Sequence, residues 1–173
     1  MDSGLDPIPL DAETKAVESP DDHKAELRLW LRLLTCANLI EATIRRRLAE
    51  RFAVTLPRFD FMAQLERAPE GLTLGETSRR MMVTNGNVTS LAERLRREGL
   101  IAKRTDPQDR RASYVSLTPA GHAAFVGMAA EHAEWVAELF AGLDPADVET
   151  LMPLLGRLKG SVLAATGCSR DKP

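Results

Sequence analysis

Only two cysteines, Cys36 and Cys168, occur in 173 residues, and neither has a second cysteine or a histidine at metal-ligand spacing. A disulfide framework or a structural zinc site is therefore not expected, and both thiols are expected to be reduced. No run of eighteen apolar residues occurs, and residues 1–22 are acidic without an apolar centre, so neither a membrane-spanning helix nor a signal peptide is expected and the chain reads as cytoplasmic. Aromatic residues are scarce, with five Phe, two Trp and one Tyr, which argues against a sandwich of strands. There is no phosphate-binding glycine loop, no nucleophile beside a base and no recurring carboxylate pair. An enzyme is not expected, nor any cofactor or bound metal.

What is present is leucine, alanine and valine at helical spacing. With 44% hydrophobic residues, the chain can bury one core of ordinary domain size. Its net charge of −2 hides a strong partition. Residues 1–26 hold eight acids against two lysines, whereas residues 79–111 hold nine Lys/Arg against four Asp/Glu. That short basic window is where contacts to phosphates are expected.

Along the chain, residues 1–22 are rich in proline and acid without periodicity and read as a disordered arm. From His23 to Arg51, Leu27, Trp30, Leu31, Leu34, Asn38, Ile44 and Leu48 form one helical stripe, and Leu29, Leu33, Cys36 and Ile40 form a second. A helix apolar on two faces must pack on both, as a central helix or a dimer element. Pro57 suits the first turn of a helix ending near Ala68, and Thr73–Met81 forms a shorter one with Leu74 and Ser78 inward. Thr84 reads as the N-cap of a third helix, with Val88, Leu91 and Leu95 on its core face and Gly99 as its stop. The period then changes to that of strands at 100–104 and 112–117, joined by the charged turn TDPQDRR. Thr118-Pro119 opens a helix to about Ala141, and Asp144-Pro145 opens a last one to about Ala165, with a bend expected at Pro153. Residues 166–173 read as a loose tail. The fold class is mainly α with a small β-hairpin wing.

Helix, turn, helix and then a basic-tipped hairpin form a device for reading DNA. The second helix of such a pair enters the major groove, where every base pair shows its own pattern of donors and acceptors. With Val88, Leu91 and Leu95 inward, Asn85, Asn87, Thr89, Ser90 and Arg94 face away. Asparagine pairs bidentately with adenine and arginine with guanine or phosphate, while Gly86 permits close approach of the backbone at a positive helix end. Arg110 and Arg111 at the hairpin tip suit a narrow minor groove, with Asp106 and Asp109 as partners that hold them in place.

The segment from Pro57 to Gly121, above all GLIAKRTDPQDRRASYVSLTPAG, resembles the MarR family of bacterial transcriptional regulators. Helix order extends the resemblance over residues 24–165. It implies a single domain over 23–165, with a winged helix-turn-helix at 57–117 and dimerisation helices at 23–51 and 118–165. It further implies a homodimer on a pseudo-palindromic operator, acting as a repressor released by a small ligand. Asn85, Asn87, Thr89, Ser90 and Arg94 fall at the groove-facing positions and Asp109, Arg110 and Arg111 at the wing. The reading helix departs from the commoner pattern, since Ser90 replaces a frequent basic residue and Asn-Gly-Asn replaces a Lys-Ser-Thr-like start. RLWLRLLTCANLIEATIRRRL followed by LPRFDFMAQLERAPEGLTLGE is similar to the subgroup responding to aromatic acids or their coenzyme A thioesters, such as hydroxycinnamoyl-CoA. The family resemblance implies an effector pocket drawing on Trp30, Phe59, Phe61, Met62 and His122, and Arg45, Arg46 and Arg47, with Arg46 foremost, suit the anionic phosphates of such a thioester or equally an exposed basic helix end.

Each of these features also has a plainer reading. Arg94, Arg96 and Arg97 also read as a solvated helix face, with Arg96 and Arg97 as phosphate or solvent residues rather than base readers, Asn85 and Asn87 as turn and cap residues, and the pocket aromatics as ordinary core. Cys36, within an apolar stripe, reads as a small core residue rather than an oxidant sensor. His122 and His132 read as surface residues rather than a metal pair. The rival function is a ligand-binding or protein-interaction module whose basic surface meets an acidic partner.

Overall fold

The computed structural model describes residues 24–105 and 113–167, which divide into two compact units, residues up to His132 and residues from Ala133. In the first unit, helix α1 (Lys24–Phe52) is followed by α2 (Leu56–Glu66), strand β1 (Leu72–Thr73), α3 (Leu74–Met81), α4 (Asn85–Arg97), the strands β2 (Ile101–Thr105) and β3 (Ser113–Leu117), and most of α5 (Pro119–Leu139). The second unit holds the end of α5 and α6 (Pro145–Ala165).

Local chemistry sets most of these boundaries. Pro57 lies in the first turn of α2, where its missing N–H costs nothing. A reciprocal capping box starts α3: the Thr73 hydroxyl accepts from the Glu76 amide at 3.2 Å, and the Glu76 carboxylate accepts from the Thr73 amide at 2.8 Å. The Thr73 hydroxyl also donates to that carboxylate at 2.7 Å, and the two bonds it accepts, from the Thr73 hydroxyl and amide, hold the Glu76 carboxyl below its ordinary pKa. Asp144 and Asp147 repeat the device on α6. Gly99, at φ +74°, closes α4 as expected, with the Leu100 amide donating to the Leu95 carbonyl at 3.0 Å. Helix α6 runs on through Pro153 without ending there.

The sheet has the order β1-β3-β2, all antiparallel, with Leu72 opposite Val115 on one side and Lys103 opposite Val115 on the other. A two-stranded hairpin was expected, and β1 is the addition. Two residues are too short to show alternation, so only pairing with β3 defines them. Leu72, Ile101 and Val115 turn into a core whose most enclosed members include Leu48, Phe61, Met62, Leu65, Val88 and Leu95. Phe59 packs on Phe125 with ring centroids 5.5 Å apart.

Several packing expectations need correction. On α4 the buried residues are Val88, Ala92 and Leu95, and Leu91 is only half-buried, because its position on the helix turns it to the edge of the core. On α3 the inward pair is Thr77 and Ser78, with Leu74 half-buried. Cys36 is exposed rather than a core residue: it lies in the part of α1 where Leu34 and Leu39 are also uncovered by this chain. His132 is half-buried rather than on the surface, stacked on Phe59 with ring centroids 4.8 Å apart. In the second unit α6 buries none of its residues, and Val148, Leu151, Leu155, Leu158 and Val162 form an exposed stripe at helical spacing.

Candidate nucleic-acid interface

Helix α4 is held over the core from three sides. At its start, the turn from α3 is closed by the buried Ser78 hydroxyl, which donates to the Val83 carbonyl at 2.6 Å, and by the Val83 amide, which donates to the Ser78 carbonyl at 3.2 Å. Met82 occupies the left-handed conformation there, φ 55° and ψ 36°, with its side chain 93% exposed. A left-handed residue bearing a Cβ is strained, and an exposed side chain gains little from packing. Met82→Gly is therefore expected to stabilise the protein by about 0.5–1 kcal/mol, a rise in Tm of about 1–4 °C by thermal unfolding.

At its far end, α4 is tied to the start of α5. The Thr118 hydroxyl donates to the Gly99 carbonyl at 2.7 Å and accepts from the Gly121 amide at 3.0 Å, and the Thr118 amide donates to the Leu100 carbonyl at 3.0 Å. Thr118 is thus both the N-cap of α5 and the clamp on the turn between α4 and β2. The third tie is an ion pair from α2: Arg58 meets the carboxylate of Glu98, the residue that ends α4, and Arg94 reaches the same carboxylate at 3.3 Å.

With Val88, Ala92 and Leu95 inward, an advance of about 100° per residue places Gly86, Ser90 and Arg97 on the opposite face, flanked by Asn87 and Arg94. All five predicted α4 residues, Asn85, Asn87, Thr89, Ser90 and Arg94, are exposed. Asn87, Ser90, Arg94 and Arg97 line one side of an open groove of about 370 Å³ whose other walls include Pro57 and Val83. Asn85 and Thr89 stand apart from that groove, and the Thr89 hydroxyl donates to the Asn85 carbonyl at 2.9 Å. Thr84 occupies the N-cap in extended conformation, but its side chain makes no cap bond. The first amides of α4 thus point out at the positive end of a helix dipole, which suits a phosphate oxygen.

Sequence reasoning gave Arg97 a phosphate or solvent role rather than a base-reading one, and did not single out Lys103 and Arg104 on β2, although all three lie in the basic window. Arg104 extends over the Tyr114 ring, 5.5 Å from its centroid, a cross-strand stack between β2 and β3. The wing residues Asp109, Arg110 and Arg111, with Asp106, lie outside the described residues.

The six residues named for an effector pocket have unlike surroundings in this chain. Phe59, Phe61 and Met62 are buried in the core, and Trp30 on α1 is 56% exposed. Arg46 is exposed and reaches Glu50 one turn on at 3.3 Å. His122 meets Glu66 at 2.8 Å and lines a groove with Leu65, Pro69, Leu117, Thr118 and Pro119. His122 and His132 are ten residues apart on one helix, about 15 Å along its axis, which is too far for one ion. Among the described residues no cluster of three or more His, Cys, Asp or Glu could hold a metal, and no helix is long and apolar enough to cross a membrane.

Among the described residues, burial is the largest cause of the shift at Asp60 and at His132. Burial, with a further contribution from Glu41, raises the Asp60 carboxyl above its ordinary value. Burial lowers the His132 imidazole. Its neutral form is therefore favoured by folding: the stability it contributes is complete above the ordinary imidazole value and is lost as pH falls through the window below it. Between about pH 7 and pH 5, the Tm of His132→Gln is expected to fall less than that of the native protein.

A sequence model described as the MarR family matches residues 54–112. A MarR family transcriptional regulator from Silicibacter pomeroyi is similar at 33% identity and TM-score 0.67, over 83% of this chain and 99% of that one. The transcriptional activatory protein BadR of Rhodopseudomonas palustris is 34% identical over 61% of this chain, and the match spans 62% of its own length. Sco3205 of Streptomyces coelicolor, a MarR family regulator solved in complex with DNA, shares the fold at 20% identity and TM-score 0.72, over 83% of this chain and 92% of that one.

Proposed function

This chain belongs to the MarR family of transcriptional regulators and is not an enzyme, and we propose that it binds duplex DNA as a cytoplasmic homodimer, with α4 in the major groove and the 106–112 wing in the adjacent minor groove. The observation that carries the reading is the outward face of α4: Asn87, Ser90, Arg94 and Arg97 stand free of the core on a helix whose start, end and flank are each tied down. A rigid helix presenting amide and guanidinium groups can pair with base edges, and its first amides suit a phosphate. Asn85 and Thr89 sit at the margin of that face, and Asp109, Arg110 and Arg111 supply the wing contact.

Two copies would place their reading helices about 34–36 Å apart, one turn of duplex, and so address a pseudo-palindromic operator. The exposed stripe on α6, and separately the uncovered Leu27, Trp30 and Leu34 on α1, are the surfaces a second copy would cover. The proposed control is release by a small aromatic acid or its coenzyme A thioester, through Trp30, Arg46, Phe59, Phe61, Met62 and His122. A ligand that prefers a different helix spacing must lower DNA affinity by linkage. Repression is the first reading of this control. The relative named as an activatory protein favours the opposite sign as a second reading.

The test is fluorescence anisotropy of a labelled duplex carrying the promoter nearest the gene, with and without aromatic acids and their thioesters. Saturable binding that weakens with salt is expected, and a ligand of this class should shift the midpoint. Binding unaffected by every such compound would remove the effector while leaving DNA recognition in place. A promoter assay then gives the sign of regulation.

A further inference from the structure

The carboxylate of Glu98 meets two guanidiniums with unlike surroundings. Arg58 is on the third residue of α2 and its side chain is only 15% exposed, whereas Arg94, on the reading face, is 65% exposed. The Arg58 Nε is buried with no hydrogen-bond acceptor, and the guanidinium meets the Glu98 carboxylate through its terminal nitrogen. The pair also stands against both helix dipoles: an acid ends α4, where the dipole is negative, and a cation lies in the first turn of α2, where it is positive. Local helix energetics would not choose this arrangement. It also leaves a negative charge beside a face meant for phosphates.

We propose that Glu98 is an internal stand-in for a DNA phosphate, holding Arg94 in the free protein, and that Arg58 is the positioning residue that keeps Glu98 in place when Arg94 transfers to DNA. The inference rests on the DNA-binding reading of α4. Arg94 makes the longer and more exposed of the two contacts, so it is the one that leaves. Arg58 stays, because releasing it would strand a guanidinium that is already short of one acceptor. The exchange swaps a carboxylate for a phosphate on the same cation, so Glu98 lowers affinity for any duplex while adding nothing to the reading of sequence. Arg58 in turn limits that loss by neutralising Glu98 after Arg94 has left.

The experiment measures binding of the full chain to a short labelled duplex of mixed sequence across a salt series, because binding of this kind reports phosphate contacts alone. Glu98→Gln is expected to bind about tenfold tighter at about 0.05 M salt, with the curves converging near about 1 M and a steeper salt slope. Arg58→Met is expected to bind more weakly than the native protein, although Arg58 touches no DNA, and the Arg58→Met/Glu98→Gln double variant is expected to recover. A merely structural role for Arg58 would leave the double variant as weak as the single. Unchanged affinity and slope in Glu98→Gln would overturn the inference alone, and this arm stands even if Arg58→Met fails to fold. A native protein that binds no duplex at all would overturn the DNA-binding reading and the inference together.

Discussion

Replacing Arg110 and Arg111 together by alanine is expected to weaken duplex binding by two to three orders of magnitude at about 0.1 M salt, and to flatten the salt dependence by about 3–4 units for a dimer. The size follows from counting. Each subunit loses two guanidiniums, and each phosphate neutralised contributes a salt slope of about 0.9. If the wing enters the minor groove, the loss should be larger on A·T-rich duplexes, whose narrow groove concentrates negative potential. Binding within about twofold of native at that salt would remove the wing from the interface and favour the rival in which the basic surface meets an acidic protein. Thermal unfolding of the same variant checks that the effect is one of recognition.

The second large effect concerns stability. A methyl group at Gly121 would fall inside the van der Waals envelope of the Leu100 carbonyl oxygen and 2.8 Å from its carbon. The obstacle is backbone, so no rotamer relieves it. Leu100 cannot withdraw either, since its carbonyl accepts from the Thr118 amide and its amide donates to Leu95. Gly121→Ala is therefore expected to destabilise the protein by about 3 kcal/mol or more, read as a lowered denaturant midpoint. Thr118→Val should cost less, because it removes two hydrogen bonds without a clash. A Gly121→Ala variant as stable as the native protein would mean that α5 does not pass this close to the turn after α4.

These two positions show how differently the chain discloses itself. The Leu-Thr-x-x-Gly run was visible as part of a family resemblance, but its reason is spatial: Thr118 clamps a turn nineteen residues away, and Gly121 leaves room for that turn. Helix α4 was legible in advance because its core face repeats every three or four residues. Its error, Leu91 in place of Ala92, came from treating leucine as necessarily inward. Three of the proposed effector residues are buried in the core, and spacing within a helix cannot tell a core side chain from one that lines a cavity.

Composition and pattern alone determined that this chain is mainly helical, where its helices begin and end, and which short window holds the basic charge. Those properties depend on contacts within a few residues, such as Thr73 with Glu76, Asp144 with Asp147, and the left-handed turn at Gly99. Tertiary structure alone decided that β1 exists, that Cys36 is exposed and His132 half-buried, and that Arg58 reaches Glu98 forty residues away. Each of these depends on which distant segment the fold brings alongside, and neighbours of that kind leave no periodic trace in a single sequence.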